Sequence, residues 1–242
     1  MSIDRRQFLG AAAAAIAATA LAPGLHLIEL ALADSPEQKA SALKRWGLLI
    51  DTSKCSTGCN VCVTACNKAN GLVSHNRPET DSQWIRKVTL TDEHTGYVQS
   101  LPVMCQHCAN APCVDVCPTG ASFKRADGIV LVDRHLCIGC RYCMMACPYK
   151  ARSFVAEKIT DQIAEVPRGK GCVEGCTLCV ERIDRGKIPA CVEACNSHGG
   201  KAMTFGDLKD PASDIAKRLA SQPSTEIRSD LDLDTGVRYQ HL

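Results

Sequence analysis

Aromatic residues are scarce in this chain. Phe, Trp and Tyr make up 4% of 242 residues, a low share for a core packed by side chains alone. Charge of one sign is lacking too: the formal net charge is +2, which offers nothing to a nucleic-acid backbone, so no nucleic-acid partner is expected. After the first 35 residues no stretch is apolar enough to span a bilayer. No cysteine is followed by histidine, so the C-x-x-C-H signature of attached haem is missing and no haem is expected on this chain. Cysteine, by contrast, is abundant, with 17 residues.

Sixteen of these cysteines fall into four groups. The first is Cys55, Cys59, Cys62 and Cys66, spaced C-x3-C-x2-C-x3-C. The second is Cys105, Cys108, Cys113 and Cys117, spaced C-x2-C-x4-C-x3-C and followed by Pro118. The third is Cys137, Cys140, Cys143 and Cys147 before Pro148, spaced C-x2-C-x2-C-x3-C-P. This is the bacterial ferredoxin run, whose first three thiolates hold one [4Fe–4S] cube while the fourth reaches another. The fourth group is Cys176, Cys179, Cys191 and Cys195. Four such groups point to iron–sulfur chemistry and electron transfer. With each oxidised cube carrying roughly −2, the loaded protein would be acidic.

The N-terminus reads as an export signal over residues 1–33. Arg5 and Arg6 precede Phe8 and Leu9, an alanine-rich run extends from Ala11 to Leu21, and Ala31-Leu32-Ala33 offers a cleavage site before Asp34. This resembles a twin-arginine (Tat) signal. That route carries folded proteins, so clusters inserted before export would occupy thiols that would otherwise form disulfides in an oxidising compartment. The expected location is the periplasmic face of the cytoplasmic membrane, with the signal either cleaved or retained as an anchor.

An internal repeat links groups one and three. Gly47–Asp51 and Ile129–Asp133 each read as a short branched strand ending in an aspartate four residues before a cysteine, followed by a loop and a turn of helix holding the last cysteine. Further strands are expected at Tyr97–Val103, Gly120–Lys124 and Lys201–Phe205, with Asp127-Gly128 as a hairpin turn. From Ala212 to Leu242 the period is weak. A helix fragment at Ile215–Leu219 and an extended tail lying on a partner are expected there.

Other readings exist for individual residues. Structural zinc rivals any paired C-x2-C motif, but zinc ribbons join two isolated knuckles by a long spacer and do not crowd four cysteines before a proline. A disulfide framework sits badly with an odd number of cysteines. His107, His135 and His198 are read as donors near the clusters or as surface residues. Cys172 is read as a spare thiol, with displacement of Cys176 as the alternative. Trp46, Trp84 and Tyr142 are read as packing. Arg86-Lys87 and Lys124-Arg125 are read as solvated faces or partner-docking points.

The order of groups resembles the four-cluster, ferredoxin-like iron–sulfur subunits of dimethyl sulfoxide, polysulfide, tetrathionate and nitrite reductases. The most specific pieces are Cys105-Gln106-His107-Cys108 with Ala111-Pro112-Cys113-Val114, the Cys137–Tyr149 run, and Cys179 through Arg182 and Gly186 to Pro189-Ala190-Cys191-Val192. Trp84–Val88 also looks like the family's tryptophan-plus-basic segment. The resemblance implies four [4Fe–4S] clusters, one of which could be [3Fe–4S]. Cluster one would take Cys55, Cys59, Cys62 and Cys195, and cluster two Cys66, Cys176, Cys179 and Cys191. Cluster three would take Cys105, Cys108, Cys113 and Cys147, and cluster four Cys117, Cys137, Cys140 and Cys143.

The implied fold class is α+β, with two ferredoxin-like double-cubane modules, loop-rich with short hairpins and helices. Residues 46–104 plus 158–210 would form module one, residues 105–157 the inserted module two, and residues 211–242 a partner-contacting tail. Three features depart from the family: the extra residue between Cys55 and Cys59, Asn196 in place of a proline after Cys195, and Cys172 itself. An own export signal and Arg168-Gly169-Lys170-Gly171-Cys172 look most like the DsrO-type subunit of the sulfite-reduction-associated DsrMKJOP complex. The resemblance then implies an electron carrier with no catalysis of its own. Its partners would be a quinone-interacting NrfD-type membrane subunit and a haem c subunit or other redox subunits. The alternative is the iron–sulfur subunit of a molybdopterin oxidoreductase.

Overall fold

The computed structural model describes residues 40–242, and the expected export signal lies outside them. In chain order the first elements are β1 (Trp46–Asp51), α1 (Val61–Asn70), β2 (Ile85–Thr91), β3 (Val98–Met104), α2 (Pro112–Asp115), β4 (Ser122–Lys124), β5 (Val130–Val132) and α3 (Tyr142–Ala146). There follow β6 (Arg152–Phe154), β7 (Val173–Gly175), α4 (Val180–Ile183), α5 (Ala190–His198), β8 (Met203–Asp207), α6 (Asp214–Ser221) and β9 (Val237–Gln240).

β1 lies at the centre of a three-stranded sheet, antiparallel to β8 and parallel to β9. Leu48, Leu49 and Ile50 are all buried. A strand covered on both faces needs no polar alternation, which accounts for its unbroken apolar run. Two-stranded antiparallel ladders complete the β structure: β2–β3, β4–β5 and β6–β7. The β4–β5 turn contains Asp127 and Gly128, with Gly128 at φ 87°.

Proline placement decides helix length. Pro118 and Pro148 follow Cys117 and Cys147, and a residue before proline is pushed out of the helical region. α2 accordingly stops at Asp115 and α3 at Ala146, with Cys147 extended at ψ 112°. Cys66 and Cys195 have no proline after them, so α1 and α5 run on through both cysteines. The longer helices pack against each other, as do α2 and α3. Asn196, in the position that proline holds after Cys117 and Cys147, thus allows a longer helix. The helical turn expected to hold Cys147 instead ends just before it.

The β6–β7 ladder pairs residues 152–154 with residues 173–175, across the border expected at 157/158. Residues 173–175 therefore join the strands of the inserted segment. The carbonyl of Asp127 accepts the N–H of Trp46 at 3.1 Å, and Arg125 pairs with both Asp127 and Asp184. The described residues lie in one compact unit.

The C-terminus is not an extended arm. α6 is N-capped by Ser213 Oγ, which accepts the N–H of Ala216 at 3.2 Å. The polypeptide then returns as β9, where Tyr239 is fully buried. The Tyr239 hydroxyl donates to the Pro102 carbonyl at 3.0 Å and accepts from Gln106 Nε2 at 3.3 Å. The preceding residues strap the first two cysteines of group two. Ala109 N–H donates to Asp234 O, Asn110 N–H to Leu233 O, and Gly236 N–H to Gln106 O. A four-residue strand has too short a period to read from sequence.

Candidate iron–sulfur centres

The sixteen grouped cysteines come together in four sets that cross the sequence groups. Cys66 on α1 meets Cys176, Cys179 and Cys191 around a shared cavity, also lined by Trp84, Met104 and Asn70. Cys105, Cys108, Cys113 and Cys147 surround a second cavity, with Tyr149 and Arg152. Cys117, Cys137, Cys140 and Cys143 surround a third, with Ile138, Arg141 and Val173. Cys55, Cys59, Cys62 and Cys195 form the remaining set. Burial raises the Cys55 thiol against the pull of Lys87, and Cys195 and Cys59 add to the rise. Cys62 is pushed up to about 11 by burial, again against Lys87 and with help from Cys195 and Cys55.

The donor chemistry fits iron–sulfur cubes. Among the described residues no three His, Cys, Asp or Glu side chains converge closely enough to hold a single metal ion. A zinc ion needs a point of convergence at about 2.3 Å from each sulfur. A core of four irons and four sulfides needs a cage whose thiols stand apart, and cages lined by four cysteines are what the fold builds.

Burial dominates the electrostatics. It pushes the thiols of Cys176 and Cys191 well up, Cys108 to about 12 and Cys179 to about 11. Cys117 is the exception. Its slight burial opposes ionisation, but hydrogen bonds from the Ser122 N–H and from Thr119 hold its thiol below the ordinary value. Backbone N–H groups also point at sulfur elsewhere: Val173 at Cys137, 3.4 Å; Leu178 at Cys176, 3.4 Å; Ala202 at Cys195, 3.3 Å. Such donors stabilise thiolate charge and tune a bound cluster.

Thiols of different sets influence one another in pairs. After burial and nearer thiols, Cys62 adds to the rise of Cys66 and of Cys191, linking sets one and two. Cys105 adds to the rise of Cys176, linking sets two and three. Cys113 adds to the rise of Cys143, where burial leads and Arg152 opposes, linking sets three and four. Thiols of sets one and two, two and three, and three and four thus act on one another.

Gly139 makes the Cys137–Cys143 loop possible. It has φ 71°, and an added Cβ would sit 2.3 Å from the Gly171 carbonyl oxygen. Only glycine adopts that backbone at such close approach without strain.

The remaining expectations divide. Trp46 stacks on Phe205 at 5.1 Å between centroids, and Trp84 is buried beside Cys66 and Cys176, so both pack. Tyr142 is 58% exposed and does not. His135 and His198 lie on the surface. His107 is buried and accepts the Val130 N–H on Nδ1 at 3.1 Å, so it is neither a surface residue nor a donor to sulfur through that atom. Arg86 is half-buried and donates to the Tyr149 carbonyl at 2.6 Å, and Arg125 is tied into its ion pairs, so neither is a solvated charge. Cys172 donates to the Arg134 carbonyl at 3.2 Å and lies against Cys137. Burial raises its thiol and Cys137 adds to the rise. Its neighbour is thus the fourth set, not Cys176. Sequence reasoning missed Arg152 and Tyr149 beside the third set. Nothing local separates a buried arginine on a three-residue strand from an exposed one.

Comparison with known proteins agrees with this chemistry. Residues 96–208 match the family model described as a 4Fe-4S dicluster domain. The Hdr-like menaquinol oxidoreductase iron-sulfur subunit 1 of Archaeoglobus fulgidus is 39% identical, over 99% of this chain and 98% of the relative. A subunit of the tetrathionate reductase of Salmonella typhimurium is 39% identical over 90% of this chain and 80% of its own length. A component of the polysulfide reductase of Wolinella succinogenes is 36% identical over 78% and 90%.

Proposed function

This protein belongs to the ferredoxin-like iron–sulfur electron-transfer subunits of respiratory oxidoreductases, and from that premise we propose that it holds four [4Fe–4S] clusters in a row. Cys55, Cys59, Cys62 and Cys195 hold the first, and Cys66, Cys176, Cys179 and Cys191 the second. Cys105, Cys108, Cys113 and Cys147 hold the third, and Cys117, Cys137, Cys140 and Cys143 the fourth. Bound clusters supply one-electron transfer between sites fixed in space. The observation carrying this reading is the gathering of sixteen cysteines into four sets, each in electrostatic contact with the next. Two ferredoxin-like modules, the second inserted in the first, account for the crossing of groups. Here the protein orients, insulates and tunes, and it makes and breaks no substrate bond by itself.

The partner is a quinone-interacting membrane subunit of NrfD type, alongside a haem c subunit or other redox subunits of a sulfur-metabolism complex of DsrO type. Two features support it. The menaquinol oxidoreductase relative covers nearly the whole chain. The fourth set also reaches the surface at exposed Cys140, where Leu136, Ile138, Tyr142 and Met145 are 52%, 67%, 58% and 75% exposed. Large apolar side chains clustered at one surface point are expected at a protein interface. The tetrathionate and polysulfide reductase relatives favour a second reading, the iron–sulfur subunit of a molybdopterin oxidoreductase. Export by the Tat route to the periplasmic side completes the proposal. Among the described residues no helix is long and apolar enough to cross a membrane, so attachment there would run through partners or the N-terminal segment.

The test is elemental and haem analysis of the complex purified with this chain from detergent-solubilised native membranes. About sixteen irons per chain, four per cube, with haem and an NrfD-type subunit, is the expected result. Stoichiometric molybdenum or tungsten would select the second reading. Zinc in place of iron would overturn both.

A further inference from the structure

Arg152 is the one buried lysine or arginine among the described residues, at 7% exposure. It makes no ion pair with a carboxylate there. Its Nη2 donates to Cys113 Sγ at 3.2 Å and to Ser122 Oγ at 3.1 Å. The Ser122 N–H donates in turn to Cys117 Sγ at 3.3 Å. Three hydrogen bonds, linked through the guanidinium and the covalent frame of Ser122, therefore join a thiol of the third set to a thiol of the fourth.

A buried guanidinium without a counter-ion is strongly destabilising. Among the described residues its side chain is met by the Cys113 sulfur and the Ser122 hydroxyl, and sulfur becomes anionic once it ligates a cluster. The fold also makes room for its stem. At Gly175, its partner across the β6–β7 ladder, an added Cβ would lie 3.4 Å from Arg152 Cδ and 2.7 Å from the Ala151 carbonyl oxygen. Elsewhere the donors to sulfur are neutral: Asn70 Nδ2 at Cys66, and the N–H groups of Ala151, Val173, Leu178 and Ala202. Among the described residues only Cys113 receives a charge-assisted hydrogen bond, the stronger kind.

We propose that Arg152 is the positioning and potential-setting residue of the third cluster, raising its reduction potential above what its burial would otherwise impose, and that with Ser122 it couples the third site to the fourth. The proposal rests on the four-cluster reading and deepens it. Reduction adds one negative charge to a buried site, which burial opposes. A fixed positive charge touching a ligand sulfur stabilises the reduced form, and hydrogen bonds to sulfur and local charge are the protein's levers on such potentials. One electron arrives from a neighbouring reduced cluster and later leaves to the other neighbour. No bond forms or breaks, and Arg152 keeps its protons throughout. The third site so becomes the place where an electron rests within the row.

The experiment is an anaerobic potentiometric titration of the intact complex followed by electron paramagnetic resonance, with iron content measured on the same samples. Arg152→Met is expected to lower the reduction equilibrium constant of one cluster more than tenfold, or 59 mV for a one-electron couple, with the other midpoints moved much less. Arg152→Lys, which keeps the charge, is expected to stay within tenfold of wild type. Unchanged midpoints in Arg152→Met with full iron overturn the proposal. If Arg152→Met loses a cluster, Arg152→Lys decides. A fully loaded lysine variant with a wild-type-like midpoint supports a charge role, and one whose midpoint falls more than tenfold overturns it. Wild-type iron content tests the other reading separately: fewer than four clusters would sink the four-cluster proposal whatever the arginine variants do.

Discussion

Removing the Tyr239 side chain tests whether the last residues belong to the core of this protein or to its contacts with others. Tyr239 is fully buried in β9, and its hydroxyl joins Pro102, just before the Cys105–Cys108 loop, and Gln106 within it. Truncating a buried aromatic to alanine costs about 3–5 kcal/mol through lost burial and cavity formation. Leaving the buried Pro102 carbonyl and Gln106 amide without that partner adds about 1–3 kcal/mol. Domains of ordinary stability have about 5–15 kcal/mol in all, so Tyr239→Ala should take a large fraction of it. Tyr239→Phe keeps the ring and should cost only the second part, about 1–3 kcal/mol. The assay is oxygen-free urea unfolding of the loaded protein, followed by circular dichroism and by visible cluster absorbance. The alanine variant should unfold at clearly lower urea and bleach faster with an iron chelator, since residues 233–236 strap the second cysteine group. An unchanged midpoint in the isolated protein would refute the reasoning and return the tail to a partner-bound arm.

Other outcomes follow from the same geometry. Gly139→Ala places a Cβ 2.3 Å from the Gly171 carbonyl at φ 71°. The backbone and overpacking penalties, roughly 1 and 1–3 kcal/mol, should deplete the fourth cluster, seen as loss of about a quarter of the bound iron. Cys117→Ser should perturb that same cluster and interrupt quinol-linked turnover with the fold largely kept, and wild-type turnover would contradict the row. In the metal-free protein the thiols of Cys62, Cys179 and Cys108 are raised from 9.0 to about 11, 11 and 12. A raised thiol pKa means the folded state holds those protons more tightly than the unfolded one. Its contribution to stability is complete below pH 9 and lost as pH rises through about 11–12. Metal-free protein should therefore lose stability in that alkaline window. Loading near neutral pH should release roughly one proton per cysteine bound, measurable in weakly buffered reconstitution, and the absence of proton release would count against thiolate ligation.

The cysteine spacings were enough, without coordinates, to name the chemistry. A run such as Cys137 to Cys147 before Pro148 constrains a loop so tightly that few other uses of those thiols remain. Local rules also placed β1, β5 and the Asp127-Gly128 turn, because branched residues and a glycine at positive φ act over a few residues. Pro118 and Pro148 set where α2 and α3 stop for the same local reason. What the sequence left undecided depends on partners far along the chain. Residues 173–175 pair with residues 152–154 across the expected module border, and Val237–Gln240 adds a parallel strand to β1 nearly two hundred positions away. Arg152 is the sharpest case: its charge is written in the sequence, but that it lies buried between Cys113 and Ser122 is not. Burial, and with it the cost of an unpaired charge, exists only once distant segments close around a residue. Ligand spacing is therefore legible in one dimension, while the environment that tunes each site is set by the tertiary fold.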